Sequence, residues 1–223
     1  MTTNSKVAVI GLGNIGKVLA KNLVKGNRPV IIAGKKLEDA QTLAQQLGNL
    51  AIAAEIGDAI KNADIIVLAV WFNTIKEILE NYATELDGKI IIDPSNPIAP
   101  DEKGGFKKII SENESAGEII VELLPKNAKL AKALGTLGVA SLTSAAFQKP
   151  ANVLFYATDN ASINADIEQL IRDNGFEPIR VGGIDQSIRI EVFGDLHEFG
   201  ALGKTVTKEE AKEKLDLTEQ VTS

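Results

Sequence analysis

A strand, a glycine-rich turn, a helix and a second strand follow one another at the start of the chain. Val7 to Ile10 is a short apolar run, rich in β-branched residues, that is typical of a buried parallel strand. Gly11, Gly13 and Gly16 come directly after it in G-x-G-x-x-G spacing, and apolar residues at helical period follow them. Pro29 to Ala33 is the second predicted strand. This order predicts a complete β-α-β unit, the building block of a doubly wound α/β sheet.

Each glycine of the motif has a physical role. Gly11 permits a tight turn out of the strand, Gly13 lets a pyrophosphate approach the backbone, and Gly16 lets the helix pack closely on the strand. The helix N-terminus offers free N–H groups and the positive end of its dipole to phosphates. The motif therefore predicts a dinucleotide site, and a glycine-rich turn without a ligand is the alternative. The predicted phosphate-binding residues are Gly11, Leu12, Gly13, Asn14, Ile15 and Gly16.

The end of the second strand indicates which dinucleotide is bound. An NAD site usually carries Asp or Glu there, which bonds the ribose 2′-hydroxyl. This chain has Gly34, Lys35 and Lys36, and the first carboxylate after them is Glu38. Two ammonium groups attract a 2′-phosphate that a carboxylate would repel. We therefore expect NADP(H) as the cofactor, and the alternative is that the two lysines form an ordinary solvated loop.

Composition excludes several classes of protein. The net charge of −6 and the pI of about 5.0 argue against nucleic acid or an anionic membrane as the main partner. The chain has no Cys and one His, so we expect neither a disulfide framework nor a metal site of the common zinc kind. The first strand begins within ten residues, which leaves no room for a signal peptide, and no apolar run approaches the roughly 18 residues of a membrane span. We expect a cytoplasmic protein.

The rest of the chain continues the alternation of strands and helices. The expected fold class is a Rossmann α/β fold with a doubly wound, mostly parallel sheet and a small C-terminal α/β lobe. We assign residues 1–150 to an NADP-binding Rossmann domain, 151–202 to the small lobe packed on it, and 203–223 to a polar tail. Residues 101–112 are charged and contain glycine, which is typical of an exposed excursion, and apolar residues at helical period predict a helix over 186–202.

Two stretches should meet at the ligand-binding edge of the sheet, because both follow predicted strands. Ala69, Val70 and Trp71 end the fourth strand, where the indole could stack on a cofactor or pack in the core. Ser95, Asn96 and Pro97 follow the fifth strand, in a segment that prolines make stiff. The two polar side chains could hold the nicotinamide ribose or carboxamide, and an ordinary rigid turn is the alternative.

Several motifs in order resemble one family over residues 6–200. They are the glycine motif, Ile32 to Lys36, Asp93 to Pro97, Glu122 to Pro125, Ala133 to Leu137, and Gly175 to Pro178 running on to Gly182-Gly183. Together they resemble the NADPH-dependent deazaflavin (coenzyme F-420) reductase family and its bacterial relatives. The resemblance implies a Rossmann domain with a small C-terminal lobe, NADP(H) in the cleft between them, and hydride transfer to or from a deazaflavin.

The resemblance also implies positions for the two ends of the cofactor. The 2′-phosphate should lie at residues 34–36, although the family usually has Ser-Arg where Lys35 and Lys36 stand. The nicotinamide end should lie near residues 70–71, 94–97 and 133–136, which include Ala133 and Gly135. The family commonly has Asn or His where Gly135 stands. A glycine there suggests a permissive acceptor site, in which exposed backbone lets a flat acceptor approach closely.

The chemistry implied by the resemblance needs no protein nucleophile. Hydride transfer between two rings depends on alignment and exclusion of water, so we predict no catalytic side chain. His197, the single histidine, has either a packing role or a place near the site. We expect an NADPH-dependent reductase of a deazaflavin, a flavin or another small redox acceptor. The alternatives are an NADP-dependent dehydrogenase or imine reductase of a small metabolite, and a non-catalytic NADP(H) sensor.

The predicted last helix also suggests an assembly. Ile188, Val192, Phe193, Leu196 and Phe199 would form an apolar face larger than a small lobe covers by itself. We therefore expect a homodimer that uses residues 186–202.

Overall fold

The computed structural model describes residues 5–222, in which strands and helices alternate from the first strand onward. Residues 1–4 and 223, at the ends of the predicted Rossmann domain and tail, lie outside the described residues. The strands are β1 (Val7–Ile10), β2 (Val30–Ala33), β3 (Ala51–Ala53), β4 (Ile65–Leu68), β5 (Ile90–Asp93), β6 (Ile98–Pro100), β7 (Phe106–Lys108), β8 (Lys129–Ala133), β9 (Val153–Ala157) and β10 (Glu177–Gly182). The α-helices are α1 (Asn14–Lys25), α2 (Leu37–Leu47), α3 (Ile56–Asn62), α4 (Phe72–Asn81), α5 (Ala83–Leu86), α6 (Ala116–Val121), α7 (Val139–Ser144), α8 (Asn164–Asp173), α9 (Ser187–Ile190) and α10 (Lys208–Thr222).

Eight of these strands form one sheet in the order β10-β9-β8-β5-β4-β1-β2-β3. The pairs are parallel except for β8 with β9, which run antiparallel. Chain order reverses at β1, since β2 lies on one side of it and β4 on the other. The crevice at such a reversal, outside the carboxyl ends of the strands, is where open α/β sheets bind ligands. The expected Rossmann fold with a mostly parallel sheet is confirmed.

Apolar side chains cover both faces of the sheet. One buried cluster joins α1 and α8 to one face through residues such as Leu19, Leu23 and Ile167. A second joins α3 and α4 to the other face through residues such as Ile60 and Ile75. The strands between them are buried along their whole length, as continuous apolar runs in parallel sheets are. This double cover holds the carboxyl ends of β1, β4 and β5 rigidly at one edge.

The segment after residue 150 extends the same sheet. Strands β9 and β10 pair in parallel with each other, and β9 joins the β8 edge. A third apolar cluster covers this end of the sheet and includes Leu196, Leu202, Val206 and Ala211. The first residues of the predicted polar tail therefore contribute side chains to the core, and α10 follows them.

The predicted helix over 186–202 is wrong. The helix α9 ends at Ile190, Glu191 is extended, and Phe193 has a left-handed backbone with φ of +74°. A Cβ on Gly194 would lie 2.4 Å from the carbonyl oxygens of Ile188 and Arg189, so the chain folds back closely on itself there. The apolar residues at helical period do not share one buried face, because Leu196 is buried in the third cluster whereas Phe193 and Phe199 are exposed.

Two smaller features complete the described structure. The predicted excursion at 101–112 contains part of an antiparallel hairpin, formed by β6 and β7. Within residues 5–222, no helix is both long enough and apolar enough to cross a membrane.

Candidate dinucleotide-binding site

The first glycine of the motif makes a turn that other residues would disturb. Gly11 has φ of +103°, and its N–H donates to the carbonyl oxygen of Ala33 at 2.8 Å. A Cβ at this position would lie 2.3 Å from the carbonyl oxygen of Ala69 and 2.6 Å from Val70. The turn therefore passes directly over the end of β4, where the sequence placed the second part of the site.

The second and third glycines have different roles at the start of α1. A Cβ on Gly13 would meet nothing within 4 Å, and Gly13 is exposed immediately before α1. A Cβ on Gly16 would lie 1.9 Å from the carbonyl oxygen of Gly11, so this glycine lets the helix approach the turn. Neither a side-chain cap nor an acidic residue occupies the first turn of α1. The helix N-terminus is therefore open to a phosphate, with Asn14 exposed beside it and Leu12 and Ile15 half-buried.

The end of β2 lies next to this turn. Gly34 is buried, and a Cβ there would approach the Leu12 side chain to 3.0 Å. Lys35 and Lys36 are exposed and immediately precede α2. Neither ammonium forms an ion pair with any side chain in the described part of the chain. The two charges are thus available to a 2′-phosphate, and the donor set fits NADP(H).

The aromatic residue after β4 stands at the edge of the sheet and is not part of the core. The side chain of Trp71 is 57% exposed, and its ring centroid lies 6.4 Å from that of Phe106 in the hairpin. Ala69 and Val70, which lie beneath the glycine turn, are half-buried. The packing alternative for Trp71 is therefore wrong, whereas its contact with a cofactor stays a prediction.

The segment after β5 is held by its own backbone and side chains. The Ser95 N–H donates to Asp93 Oδ1 at 2.7 Å, and the Asn96 Oδ1 accepts the N–H of Val192 at 2.7 Å. The Asn96 Nδ2 donates to the carbonyl oxygen of Gly135 at 3.3 Å. The Ser95 hydroxyl is buried and has no hydrogen-bond partner among the described residues, so its hydrogen-bonding capacity is unused. Pro97 accepts the N–H of Ile109 through its carbonyl oxygen, which ties the segment to the hairpin.

The position after β8 differs from the exposed backbone expected of Gly135. A Cβ there would lie 2.4 Å from the carbonyl oxygen of Pro94, so the glycine serves the close approach of two loops. Its carbonyl oxygen also accepts hydrogen bonds from Asn96 and His197. Ala133 is buried beside it, and the buried Thr136 hydroxyl has no partner among the described residues. The glycine thus brings the β5 and β8 loops together instead of opening a space for an acceptor.

The single histidine lies at this junction. His197 is 1% exposed, and its Nδ1 accepts the N–H of Phe199 at 3.0 Å. Its Nε2 must then carry the proton and donate to the carbonyl oxygen of Gly135, which lies 3.0 Å away. Burial lowers the pKa of His197 to about 4, so the ring is neutral at pH 7. His197 is therefore both packed and next to the predicted site.

Three buried charged residues were missed by the sequence analysis. Lys132 Nζ lies 2.8 Å from Asp93 Oδ2 and 3.5 Å from Glu191 Oε1, and the side chains are 3%, 0% and 2% exposed. Burial raises the pKa of Glu191, while Lys132 and two backbone N–H groups oppose that rise. The signal in the sequence was a lysine between two alanines inside a strand, and the structure makes Lys132 the register partner of Asp93 across β8 and β5.

A cleft of about 460 Å³ opens beside these loops. It lies between the hairpin and the segment after α9, and Val192, which Asn96 anchors, belongs to its wall. Its lining residues include Lys108, Glu112, Ile188, Val192, Phe193 and Gly194.

Comparison with known proteins finds a family match over the N-terminal part of the chain. Residues 6–97 match the family described as "NADP oxidoreductase coenzyme F420-dependent". The F420-dependent NADP reductase of Methanocaldococcus jannaschii is 23% identical over 201 residues, which cover 86% of this chain and 90% of that protein. The chain spans about 25% of the length of the first curated relatives that it matches.

Two solved structures have the same fold over most of the chain. A hypothetical protein of Sinorhizobium meliloti has a TM-score of 0.79 and 26% identity, and the match covers 92% of this chain and 96% of that one. A protein of Arthrobacter sp. FB24, named as an F420-dependent NADP reductase, has a TM-score of 0.71 and 22% identity. That match covers 83% of this chain and 88% of the other. The resemblance expected from the motifs is confirmed.

Proposed function

The chain is a relative of the NADP oxidoreductases, and from this premise we propose that it transfers a hydride between NADP(H) and a small redox acceptor such as a deazaflavin or a flavin. One observation carries the proposal. The open helix N-terminus at Gly13 lies beside a strand end that has Lys35 and Lys36 where an acid would select NAD. Phosphates at both ends of the adenosine half therefore meet favourable charge.

The adenosine half of the cofactor would bind to the N-terminal residues. The pyrophosphate would bind at the free N–H groups after Gly13, over a backbone that carries no side chain there. The 2′-phosphate would bind the two ammonium groups at the end of β2. Gly34 would keep the end of β2 against the glycine turn, because a Cβ there would lie 3.0 Å from the Leu12 side chain.

The nicotinamide half would lie over the loops after β4, β5 and β8. Val70 and Trp71 would form one wall, and the unpartnered Ser95 hydroxyl would bond the carboxamide or ribose. When bound, NADPH supplies a hydride, which carries two electrons, and leaves as NADP⁺ while the acceptor takes any further proton from water. The protein's task is to align the two rings and exclude water, which needs no nucleophile.

The acceptor would enter through the cleft beside residues 188–194. Its volume of about 460 Å³ suits a flat ring system, and Phe193 and Val192 offer apolar contact. The side chain of Phe193 is 54% exposed. Its backbone is left-handed, a conformation that is costly for a bulky residue. Such strain at the rim of a cleft is a common feature of ligand-binding segments.

The test is oxidation of NADPH, followed at 340 nm, with a panel of acceptors. The panel contains a deazaflavin, FMN, a naphthoquinone and a cyclic imine, each also tried with NADH. We expect turnover with the ring acceptors and a preference for NADPH. Turnover with the imine alone would favour the dehydrogenase or imine reductase alternative. Tight NADPH binding with no turnover on any acceptor would favour a sensor and refute the proposal.

A further inference from the structure

A buried ammonium holds together the two loops between which the reacting rings would meet. Lys132 Nζ donates to Asp93 Oδ2 and to the carbonyl oxygen of Ser95, and it lies 3.5 Å from Glu191 Oε1. The ammonium thus lies within 3.5 Å of three oxygens, two from the segment of Asp93 and Ser95 and one from Glu191, which matches its three N–H groups. Burying a cation with two carboxylates has a high desolvation cost, which apolar residues of the same volume would avoid.

The partners of Lys132 belong to opposite sides of the site. Asp93 and Ser95 continue β5 into the loop proposed to contact the nicotinamide. Glu191 belongs to the segment that lines the acceptor cleft, and its two carboxylate oxygens accept the N–H groups of Ala116 and Gly117 at 3.0 Å each. Both backbone groups of Ser95 are used, since its N–H donates to Asp93 and its carbonyl oxygen accepts from Lys132.

A second link runs parallel to the first. Asn96 donates to the carbonyl oxygen of Gly135 and accepts the N–H of Val192, the residue after Glu191. The loop after β5 is therefore fixed at two consecutive residues to the same acceptor-side segment. Movement of either loop would require both links to break, and the first link would leave buried charge without a partner.

We propose that Lys132 is a positioning residue, which fixes the loop of Ser95 and Asn96 against the segment of Glu191 and so sets the alignment of nicotinamide and acceptor. The proposal rests on the proposed function for its chemistry. Lys132 itself is too deeply buried to touch either ring, so it acts through the Ser95 backbone. The Ser95 residue that it holds in place carries a buried hydroxyl, which has no partner in the described part of the chain.

The test removes the charges without leaving one unpaired. The variant Asp93→Asn/Lys132→Met/Glu191→Gln replaces each side chain by a neutral one of similar shape. Its matched control is Lys204→Met/Glu210→Gln, which neutralises a remote, exposed pair with an N–O distance of 2.7 Å. Thermal unfolding of both variants establishes that each is folded before binding is compared.

Binding of two probes separates positioning from general damage. The fragment 2′,5′-ADP carries the adenosine phosphates but lacks nicotinamide, whereas NADPH carries both halves and fluoresces through its nicotinamide. In the neutral triple variant we expect the affinity for 2′,5′-ADP to stay within about twofold of wild type. We expect the affinity for NADPH and the fluorescence enhancement on NADPH binding to fall, because the nicotinamide ring would be held loosely. With FMN as acceptor, kcat should fall about 100-fold, as misplacement by about 1 Å does elsewhere. The control should match wild type throughout.

The proposal would be overturned by a folded triple variant that keeps the wild-type NADPH fluorescence, the wild-type ratio of NADPH to 2′,5′-ADP affinity, and the wild-type kcat. The cluster would then serve stability alone. If the triple variant does not fold, Glu191→Gln decides, since it keeps the contacts of Lys132 with Asp93 and Ser95. We expect a raised KM for FMN with unchanged NADPH affinity, and an unchanged KM would refute the link. A wild-type protein that turns over no acceptor would refute the proposed function, while the fluorescence comparison would still decide the role of Lys132.

Discussion

The Nε2 of His197 lies 3.0 Å from the carbonyl oxygen of Gly135, across 62 positions of the chain. The second ring nitrogen accepts the N–H of Phe199, so both nitrogens are engaged and the tautomer is set. This bond fastens the irregular segment after α9 to the loop after β8. The neutral histidine therefore joins these two segments beside the candidate site.

The first prediction concerns the pH dependence of stability. Burial lowers the pKa of His197 from 6.5 to about 4. Between these two pH values the imidazole is protonated in the unfolded chain and neutral in the folded chain. Stability should therefore fall as pH falls from about 6.5 towards 4, by at most about 3 kcal/mol. His197→Gln, whose amide can still donate to Gly135, should lack this contribution. Urea unfolding at pH 7.0, 5.5 and 4.5 measures the difference.

The comparison of wild type with His197→Gln reports a single imidazole, because the chain has one histidine. Both proteins contain the same carboxylates, so the difference between the two stability profiles reports the imidazole. Parallel profiles for wild type and variant between pH 7 and 4.5 would contradict the assignment of a buried neutral ring.

The second prediction concerns cofactor choice. Replacing Lys35 and Lys36 by alanine should weaken NADPH binding about tenfold or more, because each charge-assisted contact contributes about 1.5–3 kcal/mol. NADH has no 2′-phosphate, so its affinity should stay nearly unchanged. Isothermal titration with each dinucleotide measures both constants.

A matched control separates local contact from overall charge. Lys61→Ala/Lys126→Ala removes the same charge from exposed positions outside the proposed site. At physiological ionic strength the Debye length is about 8 Å, so charges outside the site are screened. The control should therefore keep its NADPH affinity within about twofold of wild type. Equal loss of NADPH and NADH in the Lys35/Lys36 variant would show that the lysines do not bind the 2′-phosphate.

Local patterns predicted the backbone of the glycine turn, whereas long-range contacts build the rest of the candidate site. The turn at Gly11 and the helix after it follow from neighbouring residues, so spacing alone was sufficient. The contact of Lys132 with Glu191 depends on which strands lie side by side and on how a distant segment returns to them. The helix predicted over 186–202 is wrong because apolar residues at helical spacing need not share a face: here Leu196 is buried, whereas Phe193 and Phe199 are exposed. The backbone of Glu191 and Phe193 and the close packing of Gly194 end the helix there, and none of these follows from the apolar spacing.

The third prediction separates two glycines of one motif. Gly13→Ala adds a methyl group that meets no protein atom within 4 Å, so the free energy of unfolding should change by less than about 1 kcal/mol. The same methyl group would occupy the approach of the pyrophosphate, and NADPH affinity should fall at least about tenfold. Gly16→Ala places its methyl group 1.9 Å from the carbonyl oxygen of Gly11 and should lose stability instead. Thermal unfolding and NADPH titration of both variants test this contrast, and a Gly13→Ala protein with wild-type affinity would contradict it.

The fourth prediction concerns assembly. Phe193 and Phe199 are 54% and 59% exposed, so the segment after α9 presents two aromatic side chains to solvent. We expect a homodimer through this segment, with a mass near twice 23.8 kDa by light scattering at micromolar concentration. Phe199→Ser should shift the mass towards the monomer, whereas Leu123→Ser, at a similarly exposed apolar position in the turn after α6, should not. A wild-type monomer across the concentration range would refute the expectation.

The fifth prediction concerns Gly135, where a side chain would meet backbone. In Gly135→Ala the new Cβ would lie 2.4 Å from the carbonyl oxygen of Pro94, and neither loop can yield without straining the links through Asn96 and His197. We expect a loss of about 1–3 kcal/mol in the free energy of unfolding, the usual cost of overpacking. Gly138→Ala is the matched control, because its Cβ would meet the outer edge of the Phe199 ring at 2.8 Å, and that exposed ring can move aside. Urea unfolding should show the larger loss for Gly135→Ala. Equal stability of the two variants would mean that the β5 and β8 loops separate easily, and Gly135 would then be the open acceptor position that its sequence context first suggested.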